Sequence, residues 1–275
     1  LTVFTGTPDR AQLIRRLQGF NGALTGESCV DEEVLAACPD LKVIVFLGTG
    51  ASTYIDVEAC QRRGVTLRTV GGYGDRVVAE HAVGLMFAVY RDLAAQHLAM
   101  RCGGWDEGRP IGELHGKTLG VIGMGGVGAE MCQLGRALGM KVISWTRTPD
   151  RADAQVELSA LLEAADVVSL HLALNEGTRG FLSRERLRRM KRGAVLINTA
   201  RGALVDEAEL GAMLTDGHLR GAGLDVYSSE PLAAVHPLRT APHVVLTCHT
   251  AWRSPESAER LVRTGISHLT DELGG

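Results

Sequence analysis

Gly116-Lys117-Thr118-Leu119-Gly120-Val121-Ile122-Gly123-Met124-Gly125-Gly126-Val127-Gly128 is the stretch whose reading decides the fold. The apolar run from Leu119 to Ile122 leads into a turn with glycines at its first, third and sixth positions, and Met131, Leu134 and Leu138 follow at helical spacing. The spacing predicts a strand, a tight turn and a helix. Gly123 permits the turn, Gly125 leaves room for a pyrophosphate beside the backbone, and Gly128 lets helix and strand pack closely. With Gly126 and Val127 they make a candidate phosphate site at a helix N-terminus. Glycine-rich turns also occur with no ligand, so the flanking chain has to decide.

On the C-terminal side, apolar runs recur at 141–145, 166–172, 194–198, 221–226 and 243–247, with helical patterns at 158–165, 183–190 and 207–214 between them. Strands alternating with helices predict a doubly wound parallel sheet. On the N-terminal side, 1–75 reads as a smaller α/β unit with helices at 9–17, 31–37 and 56–63 and strands at 41–47 and 65–70. A long helix is expected over 77–100, with Ala79, Ala82, Val83, Met86, Val89 and Leu93 on its apolar face. The stretch 102–115 is turn-rich. The helix at 255–273 is expected to pack back on the first unit through Leu261, Ile266 and Leu269. The resulting division is 1–76 with 254–275, and 77–253. The chain opens at Leu1 without Met, so this reading allows for an earlier segment and a clipped first strand.

Composition narrows the function classes. The 275 residues suffice for one large domain or two ordinary ones, and 45% hydrophobic and 22% charged residues describe a globular chain. A formal net charge of -3 supplies no basic excess for nucleic acid. The six cysteines (Cys29, Cys38, Cys60, Cys102, Cys132, Cys248) form no C-x-x-C pair, so neither a metal site nor a disulfide framework is expected. With no membrane-spanning apolar run and no signal-like opening, a cytoplasmic protein is the expectation.

The segment after the second predicted strand bears on the cofactor. A ribose 2′-hydroxyl calls for an acidic residue about 20 positions after the fingerprint, and a 2′-phosphate for a nearby Arg. Here the strand ends Ser144-Trp145-Thr146-Arg147-Thr148, with no acid. Two hydroxyls and a guanidinium suit a phosphate, so NADP is expected over NAD. Arg147 could instead cover the adenine or point to solvent.

Three polar residues follow predicted strands. Arg201 follows 194–198, where a guanidinium can hold a carboxylate bidentately and polarise the adjacent carbonyl. Glu230 follows Leu224-Asp225-Val226, and His249 follows 243–247. A Glu hydrogen-bonded to a His favours imidazolium and equips it to donate a proton near neutrality. Taken singly, Arg201 reads as a surface charge, Glu230 as a turn residue before Pro231 and His249 as a structural histidine. Their succession beside a dinucleotide fingerprint is what gives them weight. His171 also lies near a strand end, while His97 and His268 read as exposed helix positions. Gly48-Thr49-Gly50 ends the strand at 41–47 and would leave backbone N–H groups free for a ligand, or form a plain turn.

Taken together, Val78-Ala79-Glu80-His81-Ala82-Val83-Gly84-Leu85-Met86, the glycine turn, Asn198-Thr199-Ala200-Arg201-Gly202, Leu224-Asp225-Val226 with Glu230-Pro231, and His249 resemble the D-isomer-specific 2-hydroxyacid dehydrogenase family over essentially the whole chain. The resemblance implies a doubly wound parallel-sheet (Rossmann) domain plus a smaller flavodoxin-like α/β substrate domain. It implies that Arg201 binds a small 2-oxo or 2-hydroxy acid, that His249 is the acid/base and Glu230 its partner, and that Gly48, Thr49 and Gly50 help hold the carboxylate. Ala200 and Asp225 would lie at the cofactor, and the protein would be a homodimer. Residues 144–148 look like the NADP-preferring glyoxylate and hydroxypyruvate reductase branch. Val77 and Ala173 depart from residues common in the family, Trp252 follows His249 closely, and both termini look short. A corepressor-like nucleotide sensor sharing this fold, or a formate- or phosphite-type dehydrogenase, are the alternative readings.

Overall fold

A computed structural model describes residues 2–105, 111–148 and 154–274. The chain divides into two compact units, Leu1–Gly74 with Ser254–Gly275, and Asp75–Arg253. The smaller unit holds a three-stranded parallel sheet, order β1-β2-β3, from β1 (Gly22–Thr25), β2 (Val43–Phe46) and β3 (Thr66–Thr69). Helices α1 (Arg10–Leu17), α2 (Glu32–Ala37) and α3 (Val57–Arg63) share a core in which Leu13, Val34 and Leu35 meet Ile44 and Phe46. Asp9, Asp31 and Asp56 each cap one of these helices, accepting from Gln12 N, Val34 N and Ala59 N.

Strand β1 has no counterpart in the sequence reading, because Gly22-Ala23-Leu24-Thr25 offers one large apolar side chain and no alternation to detect. The opening residues form no strand: Val3 and Phe4 are exposed in coil. Helix α10 (Pro255–Leu273) lies on β1 and β2. A Cβ on Gly22 would fall 2.6 Å from the Leu269 side chain, and one on Gly265 would fall 2.7 Å from Leu47. Absent side chains therefore set how closely the helix sits. Ile266 faces solvent instead, so the covering face runs through Leu261, Gly265 and Leu269.

In the larger unit, β4 (Thr118–Ile122), β5 (Lys141–Trp145), β6 (Val167–Leu170), β7 (Val195–Asn198), β8 (Gly221–Leu224) and β9 (Val244–Leu246) form a parallel sheet of order β5-β4-β6-β7-β8-β9. Alternate residues enter two cores. Val167, Val195 and Ile197 pack with α4 (Asp75–Tyr90) and α6 (Gly126–Ala137), whereas Val168, Leu170 and Leu196 pack with α7 (Leu158–Ala164), α8 (Arg184–Arg189) and α9 (Glu207–Thr215). The order reverses at β4, and ligands of open parallel sheets bind beyond the carboxyl ends of the strands at such a point. Outside β5, among the described residues, the sheet continues only as a parallel bridge between Ser144 and Gln155.

The helix expected over 77–100 is two helices, α4 and α5 (Leu93–Arg101). Asp92 between them takes a left-handed conformation, φ 51°, which ends the α-helical run. Leu93 is exposed, and Leu85 and Tyr90 complete the buried face of α4. His97 is exposed as expected, whereas His268 is half-buried with an unpartnered Nδ1. The turn-rich stretch 102–115 lies partly outside the described residues. Among those described, no helix is long and apolar enough to cross a membrane, and no group of three His, Cys, Asp or Glu could hold a metal ion.

Candidate active site

The glycine turn is built by close approach. Gly123 has φ +100°, and a Cβ there would stand 2.5 Å from the carbonyl oxygen of His171, which follows β6. A Cβ on Gly128 would stand 1.9 Å from the carbonyl oxygen of Gly123. Both glycines are buried and serve the backbone. Gly125 and Gly126 are exposed, nothing lies within 4 Å of a Cβ on Gly125, and no side chain caps α6 among the described residues. Open space beside Gly125 and uncapped N–H groups on the first turn of α6 fit the phosphates of a dinucleotide. Gly126 has a different reason to lack a side chain: the Asp75 carboxylate would lie 1.7 Å from its Cβ. Burial and the nearby charge of Glu130 push that carboxyl up from its ordinary value. No local pattern marks Asp75, since its partner lies across the packing of α4 on α6.

Arg201, Glu230 and His249 stand in segments that leave adjacent strands at one end of the sheet. Asn198 Nδ2 donates to the Arg201 carbonyl, and Ala200 N–H donates to Asn198 Oδ1, so the end of β7 is fixed by its own last residue. Arg201 Nη1 donates to the Ala200 carbonyl at 2.6 Å. A Cβ on Gly202 would fall 1.8 Å from the Tyr227 carbonyl carbon, so the segment carrying Arg201 and the one leading to Glu230 meet backbone to backbone. The Glu207 carboxylate then accepts from both the N–H and the hydroxyl of Ser228, at 2.7 and 2.6 Å. Glu230 Oε1 accepts from Tyr227 N at 2.9 Å, and His249 Nδ1 lies 2.6 Å from Glu230 Oε2. Burial pushes the Glu230 carboxyl up, but the His249 hydrogen bond, the Tyr227 N–H and the charge of Arg201 outweigh it and hold it below its ordinary value.

His249 itself has φ 54°, an unusual conformation for a residue with a side chain. Asp225 holds it there. The His249 N–H donates to the Asp225 carbonyl at 2.8 Å. The Asp225 carboxylate accepts from the Thr247 hydroxyl (2.5 Å), Thr250 N (3.0 Å) and Ala251 N (2.8 Å). Asp225 is wholly buried and its oxygens are used by the protein. Through these bonds it fixes the turn that carries His249.

Thr146, Arg147 and Thr148 follow β5 as expected, with Arg147 and Thr148 exposed and Thr146 Oγ1 accepting from Thr148 N. Ala200 and Val127 are half-buried. In the smaller unit the expectation of free N–H groups after β2 fails at Gly48, whose N–H donates to the Phe46 carbonyl at 2.9 Å. Thr49 and Gly50 make no such backbone bond among the described residues.

A family model described as D-isomer specific 2-hydroxyacid dehydrogenase, NAD binding domain, matches residues 83–251. A glycerate dehydrogenase of Methylorubrum extorquens is 38% identical, the match covering 98% of this chain and 88% of the relative. The crystal structure of the TT0316 protein of Thermus thermophilus superposes with a TM-score of 0.92 at 37% identity, covering 98% of this chain and 88% of that one. An acyclic imino acid reductase solved with NADPH and D-Arg superposes with a TM-score of 0.87 at 30% identity, covering 97% and 87%.

His171 adds a pH dependence to the fingerprint. The residue is half-buried, Ser169 Oγ lies 2.9 Å from Nε2, and the protein packed around the ring pushes its pKa from 6.5 down to about 4. As pH falls, the unfolded chain binds this proton first. Its contribution to stability is therefore full above 6.5 and is lost between there and about 4. Replacing His171 with Gln, which keeps a polar group for Ser169 but does not titrate, should flatten the pH dependence of the urea midpoint across that window. An unchanged slope would contradict the account.

Proposed function

Because the chain belongs to the D-isomer-specific 2-hydroxyacid dehydrogenase family, we propose that His249 is its acid/base, Glu230 the residue that orients it and Arg201 the group that holds the substrate carboxylate. The protein is an oxidoreductase for hydride transfer between a nicotinamide cofactor and a small 2-oxo or 2-hydroxy acid. The observation that carries the assignment of roles is the 2.6 Å pairing of His249 Nδ1 with Glu230 Oε2. With Nδ1–H donated to the carboxylate, Nε2 is the nitrogen that faces substrate. When bound, the nicotinamide supplies the hydride that the carbonyl carbon receives. Arg201 binds the carboxylate by paired N–H donors and draws electron density from the neighbouring carbonyl. His249 delivers the Nε2 proton to the carbonyl oxygen in reduction and takes it back in oxidation. The same proposal gives Thr49 and Gly50 to the carboxylate, and leaves out Gly48, whose N–H is used by the Phe46 carbonyl.

For the cofactor the proposal is NADP(H), on the absence of an acid from residues 144–148 and the presence of the exposed Arg147 between two threonines. For the substrate it is glyoxylate or hydroxypyruvate, the class suggested by residues 144–148 and consistent with the glycerate dehydrogenase relative. For the assembly it is a homodimer. Helix α5 supports this: none of its residues is buried within the chain, and it exposes Leu93, Leu98 and Met100.

In steady-state reduction of a 2-oxo acid, His249→Ala should lower kcat by about 10² to 10⁴-fold while NADPH binding is retained. A loss below about threefold would remove His249 from the acid/base role. Arg147→Ala should raise the NADPH dissociation constant by about tenfold and leave that for NADH nearly unchanged. An unaltered ratio would return the preference to NAD(H). Sedimentation equilibrium should give twice the 29.3 kDa chain mass, and a monomer would end the dimer assignment.

A further inference from the structure

We infer that His81 is a positioning residue for the reaction, acting on the His249 turn through the hydroxyl of Thr247; the inference rests on His249 being the acid/base. His81 stands on α4, and its Nε2 lies 3.0 Å from Thr247 Oγ1 and 3.6 Å from Asp225 Oδ1. The partners are 166 residues apart in the chain. Thr247 has one hydroxyl proton, and it donates that proton to Asp225 Oδ1 at 2.5 Å. Toward His81 the same oxygen can only accept. The imidazole must therefore carry its proton on Nε2, and the chain of donors runs one way, from His81 Nε2–H to Thr247 Oγ–H to Asp225 Oδ1.

Asp225 is the residue that holds the turn. Its carbonyl accepts from His249 N–H and its carboxylate from Thr250 N and Ala251 N, the two residues that follow a His249 kept at φ 54°. A hydroxyl that is itself accepting a hydrogen bond is a stronger donor, so His81 fixes both the rotamer of Thr247 and the grip of Thr247 on Asp225. Tyr227 anchors the same residue from the other side, donating its hydroxyl hydrogen to the Thr247 carbonyl at 2.7 Å. Glu80, the neighbour of His81, takes no part: it turns to solvent and pairs with Arg76. His81 offers no atom to a substrate in this account. Its effect is on where His249 stands when it meets the carbonyl.

The position of the donor nitrogen makes the inference testable. Gln places an N–H donor where His Nε2 stands, while Asn places one where Nδ1 stands, and Leu places none. In reduction of a 2-oxo acid with NADPH, His81→Leu should lower kcat by about three- to tenfold with KM for both substrates held within twofold. His81→Gln should recover most of the rate and His81→Asn little of it. In a Thr247→Val background, which lacks the hydroxyl, His81→Leu should cost nothing further. His249→Ala, run in the same assay, separates the two assignments. A crippled His249→Ala beside a normal His81→Leu overturns the role of His81 alone, as does equal activity of the Gln and Asn variants or a full additional loss in the Thr247→Val background. A near-normal His249→Ala overturns the acid/base reading and this inference with it.

Discussion

A carboxylate with no solvent contact is costly unless donors surround it, and the end of the larger sheet is arranged around meeting that demand at Asp225. Two backbone N–H groups and a hydroxyl from the segment after β9 converge on its oxygens, and its own carbonyl takes the N–H of His249. The arrangement works in both directions. The donors make the buried Asp225 tolerable, and Asp225 in turn holds His249 in a left-handed conformation that a residue with a side chain seldom adopts. From there the imidazole reaches Glu230, which the same strand, β8, sends toward it.

The rest of the site follows from the parallel sheet. With every strand running the same way, the segments after β4, β6, β7, β8 and β9 all emerge at one end. Short, glycine-rich turns keep the groups there close: Gly123 against the His171 carbonyl, Gly128 against Gly123, Gly202 against Tyr227 and Ser228. Each of these contacts is tighter than a methyl group allows, so the glycines are positions where one backbone passes another. The tight turn before α6 and the approach of the Arg201 segment to the Glu230 segment have the same physical origin.

Glycine can be present for more than one reason within a single motif. Gly123 and Gly128 are buried structural contacts, Gly125 opens onto free space, and Gly126 makes room for Asp75. Their spacing treats them alike. Similarly, Val78-Ala79-Glu80-His81 is one run in the sequence but three environments in the fold: Ala79 in the core, Glu80 in an exposed ion pair, His81 at Thr247.

Sequence by itself determined the parallel α/β character of the chain, most strand and helix positions, the fingerprint and the three polar residues after successive strands. These are local properties: hydrophobic period, turn chemistry and short motifs are written in neighbouring residues. It failed where local signal is thin, at the short strand β1, or where one residue breaks a sustained period, at Asp92 between α4 and α5. Only the tertiary structure decided that Glu230 and His249 are hydrogen-bonded, that Asp225 is buried with both oxygens hydrogen-bonded, that Gly48 has spent its N–H, and that His81 reaches Thr247. Each of those is a contact whose partners are set by strand order and by the packing of helices on the sheet. Crossover connections bring residues together that no periodicity in the chain relates, so the direction of a hydrogen bond between them can be read only once the fold has placed both ends.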